Sequence, residues 1–260
     1  MNKFNYFKIM CFLIGISTFK FLNAQKNDGL WQFNITPTLG NRLISYKNNV
    51  STQFKDSIKK ADGWRTSIGA GLGYNLITSK KTRLYFGIQY QNFGFTRTKK
   101  NLKFRDTIHP EIGRVNDLSQ TGEIYVNFNY RYHYLAIPFL YSYQFYANKG
   151  KSTSIHWLVG GSISGLLKHD IRAVLRGFSA YGEKIFILKN EAEQAALLNA
   201  NIHLGLRLEN LVYKNTWIFI QPMVYAPILN ANYGKERHRL YSIGAEVGIA
   251  FKIEEKKKVK

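Results

Sequence analysis

Hydrolytic chemistry needs a Ser/His/acid group, or a His/acid pair that activates water, gathered at one depth of a fold. This 260-residue chain has six histidines from which to build one. His156 and His203 fall in regular segments. If those segments are neighbours, the two rings stand about seven residues apart in height, on the order of 20 Å at the rise of a strand, too far to share a site. His109, His133, His169 and His238 fall in connections or near one rim, and spacing pairs none of them with a serine or a carboxylate. HxH, HExxH and EF-hand patterns are lacking, so neither a metal nor a cofactor is expected. Cys11 is the one cysteine, which leaves no disulfide and no thiolate metal site after it. No residue is assigned a catalytic role, and the chain is not expected to be an enzyme.

Three charged residues do share a face. Arg207 and Glu246 fall on the polar parity of alternating segments, near mid-height, with Glu209 slightly lower. Buried opposite charges require partners, so an ion network filling an interior is expected from these three.

The elements that must hold them are strands. Period-two alternation recurs in eight segments. Trp31, Phe33, Ile35, Pro37 and Leu39 oppose Gln32, Asn34, Thr36 and Thr38. Trp64, Ile68, Ala70, Leu72, Tyr74 and Leu76 oppose Arg65, Ser67, Gly69, Gly71, Gly73 and Asn75. Leu84 to Tyr90, Leu135 to Phe145, Ile155 to Ile163, Ile202 to Leu208 and Tyr241 to Phe251 repeat the pattern, while TWIFIQPMVYAPIL (216–229) is apolar on both parities and has no readable phase. Pro37, Pro138, Pro222 and Pro227 each remove a ladder donor, so bulges or strand ends are expected there.

Short and long connections strictly alternate. TSKKT (78–82), ANKGK (147–151) and KNT (214–216) are tight and polar; roughly 43–63, 96–130, 168–198 and 230–238 are long, and EAEQAALLNA (191–200) within them has helical propensity, with Asn190 as a cap, or else extends strand six upward. That rhythm, with an even strand count, belongs to an all-β, eight-stranded antiparallel up-and-down transmembrane β-barrel. Trp31, Trp157 and Trp217 then begin upward strands and Trp64 a downward one, which places all four at interfacial depth. Large apolar residues face lipid. Gly69, Gly71 and Gly73 face a lumen that eight strands leave only wide enough for side chains.

The segment Tyr134-Leu135-Ala136-Ile137-Pro138-Phe139-Leu140 and the glycine-rich Ser67-Ile68-Gly69-Ala70-Gly71-Leu72-Gly73 resemble strands of the small outer-membrane β-barrel domain proteins of Bacteroidetes, often called PorT-like. SIGAEVGI (242–249) is similar to the signal read by the barrel-assembly machinery. Ala136 departs from that family's common acidic residue, and Ile253 to Lys260 run on past the closing strand. The resemblance implies an integral outer-membrane barrel with a non-enzymatic structural, binding or secretion-accessory role in the envelope.

Residues 1–24 have Lys3 and Lys8, a short apolar run from Ile9 to Ile16 and Ala24 before Gln25, as a cleaved secretory signal does. The barrel is then 25–253 and a basic periplasmic tail 254–260. The formal charge is +21. In an exported chain such a charge points away from nucleic acid and towards the phosphates of lipopolysaccharide, with Arg97, Lys99, Lys100, Lys103, Arg105 and Arg114 as the outward contacts. The expected partners are outer-membrane lipid and lipopolysaccharide, the barrel-assembly machinery during biogenesis, and other envelope or secretion proteins. Two other readings stay open: an outer-leaflet enzyme modifying lipid A, and a soluble periplasmic carrier of lipocalin type.

Overall fold

Each alternating segment becomes one stave of a closed wall. The computed structural model describes residues 29–46, 51–100, 108–109, 113–114, 125–150, 152–176, 184–189, 195–234 and 236–253; the signal segment and the basic tail lie outside them. The staves are β1 (Gly29–Tyr46), β2 (Arg65–Ile77), β3 (Thr82–Lys100), β4 (Tyr125–Ala147), β5 (Thr153–Arg176), β6 (Leu198–Tyr213), β7 (Thr216–Pro227) and β8 (Glu236–Phe251). Every neighbour is antiparallel, and β1 pairs with both β2 and β8, so the ring closes. Closure leaves no strand edge in the barrel wall.

Parity decides what each face meets. Ile68 and Phe139 stand outward and more than half exposed, whereas Gln32, Asn34, Gln89 and Glu246 are buried in the bore. The unreadable phase of β7 resolves in the same way: Ile218, Ile220 and Val224 face out, and Phe219, Gln221, Met223 and Tyr225 face in. The glycines of β2 are required by how full the bore is. A Cβ on Gly73 would press into the ring of Tyr85 and lie 2.7 Å from the Phe86 carbonyl oxygen. Gly73→Val therefore overpacks against backbone as well as side chain. It should cost about 1–3 kcal/mol, read as a lower urea midpoint for the folded barrel.

Several expectations need correction. The prolines do not produce bulges. β1 and β8 keep one register on either side of Pro37, and β6 and β7 keep one on either side of Pro222. A missing N–H deletes rungs towards one neighbour while the other ladder persists; only Pro227 ends a strand. The bulges fall elsewhere, at the β4–β5 pairings beside His133/Tyr134 and Gln144/Tyr146, and between Leu211 and Tyr213. The long connections are shorter than expected, because β3, β4 and β5 run on to 19, 23 and 24 residues. Above the ring β5 also pairs with an added strand, Lys184–Lys189.

Among the described residues a helix stands in the first outer connection, α1 (Thr52–Ala61), with Lys59 and Lys60 in its last turn, where cations suit the helix dipole. In the 191–200 stretch Leu198 to Ala200 belong to β6, and 190–194 lie outside the described residues.

Candidate functional site

The bore is packed in layers. At the end where the short turns lie, Leu30, Phe219 and Ala250 form an apolar floor with Ile77 and Trp217 against it. Trp217 thus stands at a strand start as expected, but its ring belongs to this floor, because its parity follows inward Phe219. Trp31, Trp64 and Trp157 are exposed on the outside, with Trp31 edge-on to Tyr74 and Trp64 edge-on to Tyr241.

Above the floor lies an ionic layer. Arg207 donates through Nε to Glu209 at 3.0 Å and through Nη1 to Gln32 at 2.6 Å, and its guanidinium lies 3.9 Å from the centre of the Phe219 ring. Glu209 also accepts from Arg83, at 2.7 and 3.0 Å, and from Ser154 at 3.0 Å. Gln32 takes a further bond from Asn75 at 2.8 Å. Strands β1, β2, β3, β5 and β6 all reach into this layer. Sequence reasoning omitted Arg83, although its parity with Tyr85 and Gln89 marks it as inward.

Glu246 occupies a separate layer. Its carboxylate accepts from Asn34 at 3.2 Å, Gln89 at 3.2 Å, Gln221 at 3.1 Å and Tyr225 at 2.8 Å. Arg207 and Glu246 are therefore not hydrogen-bonded partners: an ion cluster holds Glu209, and neutral donors hold Glu246. Higher still the bore fills with rings, including Phe93, Phe95, Tyr130, Tyr132, Tyr134 and Tyr225.

The histidines also stand differently. His203 pairs in register with Gly160, so His156 is four residues below it, about 13 Å at the strand rise, because the register brings the two closer than expected. His156 lies between Ser142 Oγ at 3.1 Å from Nδ1 and Glu209 at 3.3 Å from Nε2. This Ser/His/Glu order was invisible in the sequence, since it crosses three strands. The group is buried just above the floor, on the side away from the long connections. Among the described residues no three His, Cys, Asp or Glu side chains gather as a metal site.

At the outer rim Asp62 holds two walls together. It pairs with Gly63 as a two-residue strand against Thr96 and Arg97, just before β2 begins. Its carboxylate accepts two bonds from Arg42 at 2.9 Å and one from Arg97 at 3.1 Å. Arg97 reaches Glu236 at 3.4 Å. Glu236 also lies 3.7 Å from His238.

Of the six outward cations, Arg97 is thus committed to carboxylates. Lys99 lies 5.6 Å from the Phe128 ring centre, Lys100 is opposite Tyr125, and Arg114 pairs with Ile108 in a short strand pair. Lys103 and Arg105 fall outside the described residues.

No protein-family model matches the chain, and no curated protein matches it. Among solved structures, the outer membrane protease OmpT from Escherichia coli is similar over 88% of this chain and 99% of its own, at 9% identity and a TM-score of 0.35. Neisserial surface protein A is similar over 85% and 97%, at 11% identity and 0.34. Ail, the attachment invasion locus protein of Yersinia pestis, is similar over 84% and 97%, at 8% identity and 0.28. At these values the class rests on the chain's own geometry. A closed antiparallel ring of eight strands with a filled bore and an apolar outer belt is a transmembrane β-barrel.

Proposed function

We propose that this chain is a non-enzymatic integral barrel of a Gram-negative outer membrane, a structural, binding or secretion-accessory component of the envelope rather than a pore. The observation that carries the reading is the pairing of an outward apolar belt with a bore crossed by the Arg207–Glu209 and Glu246 layers. A barrel that conducts needs water where these side chains stand. Membership of the PorT-like group of Bacteroidetes is supported by Tyr134 to Leu140 and Ser67 to Gly73, and export by the signal at 1–24. Assembly would proceed through the barrel-assembly machinery. The role in the envelope then falls to the outer connections and the outward face.

The alternatives are less well supported. A carrier of lipocalin type needs a hollow bore and a polar exterior. A lipid A-modifying enzyme needs its chemistry at the outer leaflet, and the Ser142–His156–Glu209 group is buried at the opposite end.

The test is a denaturing gel of the outer-membrane fraction, boiled and unboiled, with single-channel recording of the purified chain in planar bilayers. A faster unboiled band without steady conductance is expected. The same mobility in both lanes, with the chain in the soluble periplasmic fraction, overturns membrane insertion; a stable open level overturns the sealed bore.

A further inference from the structure

A β-bulge rearranges the outward face of β4 and β5. Below it, Ile163 and Leu167 of β5 point outward beside Leu135 and Ile137 of β4. Tyr134 pairs with Leu166 but His133 pairs with Lys168, so one extra residue, Leu167, is inserted in β5. An inserted residue reverses the parity of everything beyond it. Lys168, Asp170 and Arg172, which the parity of Ile155 and Ile163 would send into the bore, are turned to the outside. They pair across with His133, Arg131 and Asn129 in that order. The bore is instead filled by Tyr130, Tyr132, His169 and Ile171.

The outward group is cationic. Asp170 is satisfied by Arg131 at 2.6 Å and Lys168 at 3.1 Å, with His133 at 3.7 Å. One carboxylate thus faces three full positive charges, Arg131, Lys168 and Arg172. The side chain of Lys168 is 57% exposed and that of Arg131 26%. The buried Nε of Arg172 has no hydrogen-bond partner among the described residues. The group's position is as telling as its charge, for it sits directly above the exposed apolar residues Leu135 and Leu167, at the upper edge of the belt. At that depth an outer leaflet presents its phosphates.

We infer that Arg131, Lys168 and Arg172 form a site on the outside of the barrel for the phosphate of an outer-leaflet lipid, whose acyl chains lie along Leu135, Ile137, Ile163 and Leu167. This rests on the membrane reading above and assigns the lipid contact to residues other than the outer-connection cations. Guanidinium and ammonium groups take phosphate oxygens by charge-assisted hydrogen bonds, and basic residues at an anionic leaflet add attraction one by one. The apolar floor of the site selects a phosphate attached to acyl chains over a free one. Asp170 keeps Arg131 extended along the strand pair instead of folding onto the rim.

The experiment uses the full mature chain folded in detergent, with folding checked first by the unboiled gel mobility. Native mass spectrometry counts binding of bisphosphorylated lipid A, of the same lipid A after phosphatase treatment, and of inorganic phosphate. Bisphosphorylated lipid A should bind about tenfold or more tightly than the dephosphorylated form. K168Q/R172Q should remove that preference without changing the mobility, since neither residue faces the bore, whereas K99Q should leave it intact. Equal binding of the two lipids, or an unchanged preference in K168Q/R172Q, overturns the site. Inorganic phosphate binding as tightly as the lipid overturns the lipid assignment in favour of a free-anion site. A chain with no heat-modifiable band overturns the membrane reading itself, which separates the two failures.

Discussion

Arg207→Ala is expected to be the most destabilising single substitution in the bore, lowering the unfolding free energy by about 3–5 kcal/mol. The arginine is 3% exposed and joins Glu209, Gln32 and the Phe219 ring. Truncation leaves Glu209 buried with Arg83 as its remaining cation and Gln32 with one donor fewer. The cost combines a weakened buried ion cluster, in which Glu209 keeps Arg83 alone, with the lost contact on the Phe219 ring. Reversible urea titration in lipid vesicles, following the shift between unboiled and boiled mobility, measures it. Arg207→Met with Glu209→Gln and Arg83→Gln should recover part of the loss, because neutral residues of similar volume commonly replace a whole buried ion cluster at little cost. If Arg207→Ala costs under about 1 kcal/mol, a surface-like value, the ionic layer is wet and the sealed bore is wrong.

Asp62→Ala should cost a similar amount, but in one place. Asp62 closes the gap between β1 and β3 above Arg65, where β2 begins, and its removal leaves Arg42, whose side chain is fully buried, without a carboxylate and Arg97 with Glu236 alone. Arg42 would keep the Phe95 ring at 3.8 Å and His238 at 2.6 Å, which hold it in place without neutralising it. About 3–4 kcal/mol of local opening raises amide exchange roughly 100- to 1000-fold at Thr96 and Arg97. The belt should exchange as before, and the unboiled band should persist. Uniform acceleration along every strand would show that the rim and the belt unfold as one unit.

Much of this architecture was readable because a strand reports its face through parity alone. Gln32, Asn34, Gln89 and Glu246 are inward for the same local reason that Phe33, Ile88 and Val247 are outward. Parity fails where both faces are apolar, as in β7, whose inward Phe219, Met223 and Tyr225 belong to the floor and the ring layer. It fails again beyond Leu167, because a bulge is a property of two strands in register and no single segment encodes it. The choice of partners is less legible still. Arg207, Glu209 and Glu246 all face the bore, yet stagger between strands gives Glu246 to amides and Tyr225. Asp62 lay in a stretch read as connection, and its role depends on β2 beginning only three residues later, at a height only the register of Gly40 with Arg65 reveals.

The unequal staves give the molecule a front and a back. β3, β4 and β5 are adjacent and have 19, 23 and 24 residues, whereas β7 across the ring has 12. Twelve further residues at the strand rise and a typical barrel tilt lift one side roughly 30 Å higher. That is comparable to the thickness of the hydrocarbon layer. A neighbour sliding in the plane of the membrane therefore meets a tall screen from one direction and a low sill from the other. Among the described residues the sill stands at β7, and there a neighbour comes nearest the mouth of the barrel.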